Sequence, residues 1–506
     1  MQSILICGGG TAGWMTALYL SHLYNRVEHR VDIQLIESSA QPPVGVGEAT
    51  VHGIRHFLQL LSINEAEFMQ ATDATFKLGI EFINWKKAQN GQMHSYWHPF
   101  DFQTPEVNGM DLAHCWLSQT NKLQDYAHSV SISPFLTKRG KAPKFAEMAD
   151  YQAPIPYAYH FDAGKLAEYL KKLAVQRGVK HQIADITQVQ VSIDAGVKKV
   201  TGIDTSVGRL TADMYFDCTG FRAMLMQALH SNNQDNAENE WVDWSSELPC
   251  DRALAVQTQY PQGQAPALHT QAIAMKNGWR WRIGLQNRIG NGYVYSSQFC
   301  TEEQAADELG QALNLPTDAE FKSLKMRIGH RKQSWLGNCC AIGLSSGFIE
   351  PLESTGIYLI EAGLRLFGEY TQSGNLSLMQ QHYNRILNDI YADLKSFIVL
   401  HYILSDRDDS EFWRFWQTQR YSDPQLAAWL DLWQHKVIES SDFLAQKSVL
   451  FNQINYRFVV YGMGHLPQQS FVGANPPAQQ QLLAQMAAFC KQQPDRHPSQ
   501  VQLLGL

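Results

Sequence analysis

The chain opens with Ser3-Ile4-Leu5-Ile6-Cys7-Gly8-Gly9-Gly10-Thr11-Ala12-Gly13-Trp14, a short apolar run that ends in a glycine-rich turn. Trp14 to Tyr24 follows with apolar residues at helical spacing, and Val31 to Ile36 is a second apolar run that stops at Glu37. The pattern predicts a strand, a tight turn, a helix and a second strand in immediate succession. Gly8, Gly10 and Gly13 satisfy the spacing Gly-x-Gly-x-x-Gly. In that motif the first glycine makes the turn, the second admits a pyrophosphate close to the backbone, and the third lets helix and strand pack. Thr11 and Ala12 open a helix whose amino terminus faces the diphosphate, and Glu37 can accept a hydrogen bond from a ribose hydroxyl. A dinucleotide cofactor is expected here. The motif leaves open whether it is FAD or NAD.

Further along, Asn64 to Thr72 reads as a helix. Thr75 to Trp85 reads as one strand, with Phe76, Leu78, Ile80 and Phe82 on one face and Lys77, Gly79 and Glu81 on the other. Residues 89–150 are rich in Pro, Gly, His and aromatics with weak periodicity, as in a long excursion that builds a site. Phe161 to Arg177 is an amphipathic helix. Strand signals recur around Val189, Val200, Met214–Phe216, Ala253–Tyr260, Trp279–Ser297 and Cys339–Ile342, and beyond Gly356 the chain reads as mostly helical. No internal repeat is visible.

Composition narrows the function. The 506 residues are 44% hydrophobic and 18% charged, with a formal net charge of −7. That excludes a disordered chain and argues against a general nucleic-acid binder. No apolar run is long enough for a transmembrane helix, and the amino terminus lacks the basic region and apolar length of a signal peptide. Eight cysteines without a regular framework suit reduced thiols, so a cytoplasmic protein with no membrane or nucleic-acid partner is expected. The 13 tryptophans are mostly core, and they also supply material for gripping a flat substrate.

Four further motifs have competing readings. Asp217-Cys218-Thr219-Gly220 ends an apolar run and reads either as a polar turn or as a second cofactor-contacting turn. Gly343-Leu344-Ser345-Ser346-Gly347 fits the nucleophile elbow of serine hydrolases. No distinctive acid–histidine set or oxyanion partner accompanies it, and a glycine-rich turn approaching a cofactor explains it better. His52 and His56 have a zinc-compatible spacing but no third ligand, so no metal site is expected. Cys339 and Cys340 would point to opposite faces of a strand, as buried thiols and not as a redox pair.

Seven pieces occur in order along the chain: Gly8–Trp14; Val46-Gly47-Glu48-Ala49-Thr50; Phe76-Lys77-Leu78-Gly79; Tyr159-His160-Phe161-Asp162; Asp217–Phe221; Trp279-Arg280-Trp281-Arg282-Ile283; and Gly347–Ile357, which contains Glu353-Ser354-Thr355-Gly356. Together they resemble the flavin-dependent tryptophan halogenase family over nearly the whole chain. The resemblance implies an α/β fold: an FAD-binding Rossmann-type domain, like that of glutathione reductase and the aromatic hydroxylases, with a mainly helical region capping the substrate. The FAD domain would occupy 1–370, interrupted by the 89–150 excursion, and the helical region 371–506.

The implied chemistry has two parts. Reduced FAD, delivered by a separate flavin reductase, reacts with oxygen and then with chloride or bromide to give hypohalous acid, which passes to an aromatic substrate elsewhere in the protein. By resemblance, FAD contacts fall at Gly8, Gly10, Thr11, Ala12, Gly13, Glu37, Ala49, Asp217, Gly343, Gly347 and Ile357, and the halide lies at Thr355 and Gly356. Lys77 and Glu353 would be catalytic, holding hypohalous acid and accepting the ring proton, with Ser354 beside them. Without that context, a lysine opposite an apolar stripe is a surface residue and Glu353 a helix-start carboxylate.

His98 and Phe100 match the family's indole walls, and Phe451 and Tyr456 stand where tryptophan-specific members carry other residues. No acid and no tyrosine pair occurs between Phe451 and Gly464 to hold an amino-acid head. A neutral indole or another electron-rich arene is expected in place of free tryptophan. Gly284 replaces the family's proline after the tryptophan pair that keeps substrate away from the flavin, which would loosen that turn. This leaves as alternatives an aromatic hydroxylase using the flavin–oxygen adduct directly, or a flavin-binding protein without catalysis.

Overall fold

A computed structural model of the chain describes all residues except 29, 40–46, 89, 102–105, 108–109, 120–123, 195, 231–239, 372–374, 420–421, 445–449 and 469–475. Val46 and Gln89 therefore lie outside the described residues. The chain forms two compact units, each assembled from three separate stretches.

The first unit comprises residues 1–74, 161–246 and 326–391. Its centre is a six-stranded sheet in the order Lys180–Ile183, Asp32–Glu37, Ser3–Cys7, Met214–Asp217, Cys339–Ala341, Trp335–Leu336. The first five strands run parallel and the last is antiparallel. Near-continuous apolar strands are what a sheet covered on both faces requires. Helices Thr11–Asn25, Ala163–Gln176 and Gly356–Tyr370 belong to this unit, the first packing against each of the other two. Leu5, Cys7, Ile36, Tyr215, Leu225, Cys339 and Ala341 form a core beside the sheet. The register sets Cys7 beside both Ile36 and Asp217, so Gly8, Glu37 and the 217–220 turn share the carboxyl ends of adjacent strands. Ligands of open parallel sheets bind at that edge. Cys339 and Cys340 are buried, and burial pushes both thiols up, Cys340 to about 12, as expected of unreactive core residues.

The second unit comprises residues 75–160, 247–325 and 392–506. Its main sheet has seven strands in the order Lys322–Lys325, Arg252–Thr258, Ile289–Tyr295, Gly278–Gly284, Thr270–Ala274, Gly79–Ile83, Ser95–Pro99. All neighbours are antiparallel except Thr270–Ala274 with Gly79–Ile83. Among its helices are Glu411–Thr418, Pro424–Leu432, Gln453–Gly462 and Pro476–Gln492.

Two expectations change. The stretch from Thr75 is two strands, Thr75–Lys77 and Gly79–Ile83, because the Leu78 N–H leaves the ladder to bond the Leu268 carbonyl at 2.8 Å. Thr75–Lys77 pairs with Ala158–Asp162, whereas Gly79–Ile83 enters the seven-stranded sheet. The expected boundary near residue 370 falls inside a stretch of the first unit, since the two units alternate along the chain.

Candidate functional site

The sequence-derived site residues divide into one group in each unit. In the first unit the glycine turn joins strand Ser3–Cys7 to helix Thr11–Asn25. Gly8 has φ +115°, and a side chain there would overlap the Cys218 carbonyl; one at Gly13 would overlap the Gly8 carbonyl. The backbone permits glycine alone at both positions. Gly10 is the residue before the helix, caps it with no side chain, and has open space where a Cβ would be. The first helical N–H groups thus lack a capping side chain, as a diphosphate cradle requires. Glu37 lies against Gly9 and is held through Oε1 by Lys171 (3.0 Å) and His181 (2.7 Å). These residues fit the adenosine-diphosphate half of FAD.

Asp217 has a different position from a ligand-facing carboxylate. It is fully buried, and its Oδ1 accepts from Thr219 N (3.0 Å), Thr219 Oγ1 (2.7 Å) and Ser345 Oγ (3.1 Å). Its Oδ2 accepts from Leu225 N and Met226 N at 2.9 and 3.0 Å, capping helix Met224–His230. Asp217 therefore shapes the 217–220 turn from behind. The Ser345 hydroxyl is buried between Asp217 and the Gly220 carbonyl (3.0 Å), which removes it as an exposed elbow nucleophile. Gly343 lies against Ala12 of the glycine-turn helix, 2.9 Å from a Cβ built at 343, and Gly347 packs on His330. Ala49 ends the strand Gly47–Ala49. Beside it, burial and the charge of Asp162 raise Glu48 to about 7, and its Oε2 is buried without a partner.

Pro351–Glu353 is a single helical turn, Ser354 has φ +60°, and Thr355 precedes helix Gly356–Tyr370. Glu353, Ser354 and Thr355 are buried. The Thr355 Oγ1 makes no hydrogen bond, the helix has no side-chain cap, and open space surrounds the Cβ position of Gly356. Uncapped N–H groups beside an unpartnered buried hydroxyl fit a small anion. Ile357 packs inside the first turn.

On the same helix Glu361 is buried at 3% exposure, and desolvation lifts it from 4.5 to about 7 against the opposing pull of Arg365, 3.5 Å away. Between those pH values the folded protein holds a proton that the unfolded chain releases, so this contribution to stability falls as pH rises. Glu361→Gln is expected to match the parent near pH 4.5 and to exceed it at pH 8 by up to about 3 kcal/mol. Denaturant midpoints of both proteins at the two pH values check this.

In the second unit Lys77 is 0% exposed, although strand alternation alone places it at the surface. Both faces of Thr75–Lys77 are covered, and the ammonium lies 5.1 Å from the centre of the Phe100 ring. His98, Phe451 and Tyr456 come together through a residue the sequence did not single out, Phe397. Its ring stacks on Phe451 at 4.0 Å and meets His98 at 5.5 Å and Tyr456 at 4.9 Å. The Tyr456 hydroxyl is buried without a hydrogen-bond partner. Asn455 was also missed. Its Oδ1 accepts from Asn452 N (2.9 Å), which directs its amide N–H onto His98 Nε2 (3.0 Å) and places the histidine proton on Nδ1.

Arg457 lies on the same helix, fully buried, 2.8 Å from Asp111 Oδ2 and 3.1 Å from Glu439 Oε2. Among the described residues only Asp111, His114 and Glu439 group as metal ligands would, and Arg457 already spans the two carboxylates. His52 precedes helix Ile54–Leu60, so the His52–His56 pair does not form an i, i+4 set on that helix.

Trp279 and Trp281 lie on strand Gly278–Gly284, both buried, with ring centres 6.4 Å apart. The expectation of a loosened turn at Gly284 is corrected by the structure. Gly284 pairs with Ile289, and a Cβ there would sit 2.8 Å from the Tyr260 hydroxyl and 3.0 Å from Ala267 N. Tyr260, bonded to the Leu285 carbonyl at 2.6 Å, fills the space a proline ring would need.

A glycine turn at the carboxyl ends of parallel strands defines a dinucleotide-binding protein of the Rossmann type. The tryptophan halogenase family model matches residues 3–477. The chain is 33% identical to tryptophan 6-halogenase SttH of Streptomyces toxytricini, covering 94% of this chain and 92% of that protein. It is 31% identical to tryptophan 7-halogenase RebH of Lentzea aerocolonigenes, covering 92% and 90%. Among solved structures it superposes on the tryptophan halogenase of Shewanella frigidimarina with a TM-score of 0.89 at 30% identity, over 100% of this chain and 97% of that one. The BrvH flavin-dependent halogenase of Brevundimonas sp. gives 0.85 at 31% identity, over 100% and 99%. The chain belongs to the tryptophan halogenase family, and it is an oxidoreductase of the flavin-dependent halogenase type.

Proposed function

We propose that this protein is a two-component halogenase that takes reduced FAD from a separate reductase and halogenates a neutral, electron-rich arene of the indole type in preference to free tryptophan. Bound FADH2 supplies, with oxygen, the oxidising power that turns chloride or bromide into hypohalous acid. The chain's own residues do the rest. The turn Gly8–Gly13 with Glu37 holds the dinucleotide, and Asp217, Gly343 and Gly347 shape the backbone around it. The N–H groups at Thr355 and Gly356 hold the halide. Trp279 and Trp281 exclude the arene by bulk. Lys77 donates a hydrogen bond to the oxygen of hypohalous acid, making its halogen more electrophilic, and Glu353 accepts the proton lost from the ring.

The observation that carries the reading is the complete burial of Lys77, which takes an ammonium out of water at a cost that a surface position avoids. The substrate preference is supported by the 451–464 stretch. Its only charged residue is Arg457, already engaged by Asp111 and Glu439. A substrate ammonium and carboxylate entering there would be left unpaired. SttH and RebH are named for tryptophan. The departure in this chain therefore concerns the amino-acid head and not the ring.

A mass-spectrometric product screen tests both parts. The protein is supplied with FAD, NADH, a flavin reductase, oxygen and either halide, against tryptophan, indole and phenols. A halogen isotope pattern is expected, with indole converted at least about tenfold more efficiently than tryptophan. Oxygenated product formed without halide would make the protein a hydroxylase, and a preference for tryptophan would overturn the substrate assignment.

A further inference from the structure

The segment Tyr159-His160-Phe161-Asp162 has no part in the chemistry above, yet His160 is fully buried in the second unit. Its surroundings fix its protonation. The Thr75 hydroxyl lies 2.6 Å from the Gly284 carbonyl, which only accepts, so the Thr75 proton is committed there. Thr75 Oγ1 is then an acceptor for His160 Nδ1–H at 3.3 Å. The opposite ring nitrogen, Nε2, lies 2.9 Å from the Thr270 hydroxyl, and burial, which disfavours a second ring proton, makes it the acceptor. His160 is thus a neutral imidazole with both nitrogens occupied. In the ladder Thr75 pairs with His160 and Lys77 with Ala158, so Lys77, Thr75 and His160 share one face of this strand pair. Burial, reinforced by the charges of Lys77 and of His269, the residue preceding Thr270, pulls the imidazole well below its ordinary range. His269 is itself paired with Glu81 at 3.2 Å.

We infer that His160 is a positioning residue for Lys77: an uncharged strut that ties the lysine's short strand, through Thr75 and Thr270, to the sheet carrying the two tryptophans. The inference rests on the reading of Lys77 as the residue that holds hypohalous acid. Thr75–Lys77 has only three residues and leaves the ladder at Leu78, and side chains complete its anchoring: Phe76 N donates to Gln500 Oε1 at 3.0 Å and Thr75 Oγ1 to the Gly284 carbonyl. Thr75 itself bonds Gly284, immediately after the Trp279–Ile283 segment, and the histidine adds the link from Thr75 to Thr270. Neutrality is part of the role, since a second cation beside the buried ammonium would repel it.

The test uses the full-length enzyme with reductase, bromide, indole and a soluble scavenger of hypobromous acid. His160→Leu removes both hydrogen bonds; His160→Gln restores a donor and an acceptor. His160→Leu is expected to lower the ratio of brominated indole to brominated scavenger by about ten- to a hundredfold. The KM for indole should stay within about twofold, and His160→Gln should recover most of the ratio. Nitrogen-15 spectra of histidine-labelled protein should show His160 with one protonated and one unprotonated nitrogen, unchanged between about pH 5.5 and about pH 8.5. Titration of His160 in that range, a wild-type ratio in folded His160→Leu, or a glutamine variant as defective as leucine would overturn the inference. If the leucine variant does not fold, the glutamine variant and the spectra decide. Full bromination of indole by Lys77→Ala would instead refute the reading of Lys77, and the two failures are thereby distinguishable.

Discussion

Lys77→Ala is expected to lower arene halogenation by about 10²- to 10³-fold, because it removes one preorganised donor from a water-excluded site. In the proposed reaction the halide is held by residues of the other unit, so hypohalous acid should still form, with the scavenger collecting it in place of the arene. The ratio of scavenger product to arene product is therefore more informative than total turnover. Lys77→Met separates charge from volume. It fills the space over Phe100 without donating a hydrogen bond, and it should lose halogenation as fully as alanine while unfolding at a higher temperature. Arene halogenation at the parent rate in either variant would show that the buried ammonium has no catalytic part.

Asp217→Ala is expected to have the largest effect on stability, about 3–5 kcal/mol, with loss of FAD retention. Removing the carboxylate leaves the N–H groups of Leu225 and Met226 buried without their acceptor and releases Thr219 and Ser345. Each unsatisfied buried donor costs about 1–3 kcal/mol. Asp217→Asn keeps one carbonyl oxygen and should fall between parent and alanine. Denaturant midpoints measured with and without added FAD separate the fold from the cofactor: the deficit should persist when FAD is saturating. An alanine variant within about 1 kcal/mol of the parent would mean that the turn holds itself without the carboxylate.

The glycine turn, the parallel strands around it and the C-terminal helices were legible in the sequence because each follows from local spacing and periodicity. The burial of Lys77 was not. Strand alternation assigns a residue to one face or the other, and only residues distant in sequence that pack over the sheet, such as Phe100 beside the ammonium, decide that both faces are covered. Asp217 was found as part of a turn, but its orientation depends on Ser345 and a helix start, which no spacing rule connects. Phe397 and Asn455 were missed for different reasons. A phenylalanine in a long helix has no distinguishing signal, and Asn455 acts through a capping interaction with Asn452 that frees its amide for His98. The replacement of proline by Gly284 was visible, but its compensation by Tyr260 depends on a residue 24 positions away that no spacing rule connects to it.

The alternation of the two units along the chain bears on how the protein is made and remade. The first unit has all its residues once the chain has grown to 391, whereas the second needs 75–160, 247–325 and 392–506 and cannot close until that last stretch has been made. Its early strands wait, with apolar faces such as Ile80 and Phe82, for partners that emerge last, a situation that favours chaperone capture and slow maturation. The same interleaving limits recombination between relatives. A chimera joined at a single crossover near residue 391 would combine one parent's strands with the other's helices inside one core, so transplanting a substrate preference means moving three stretches together.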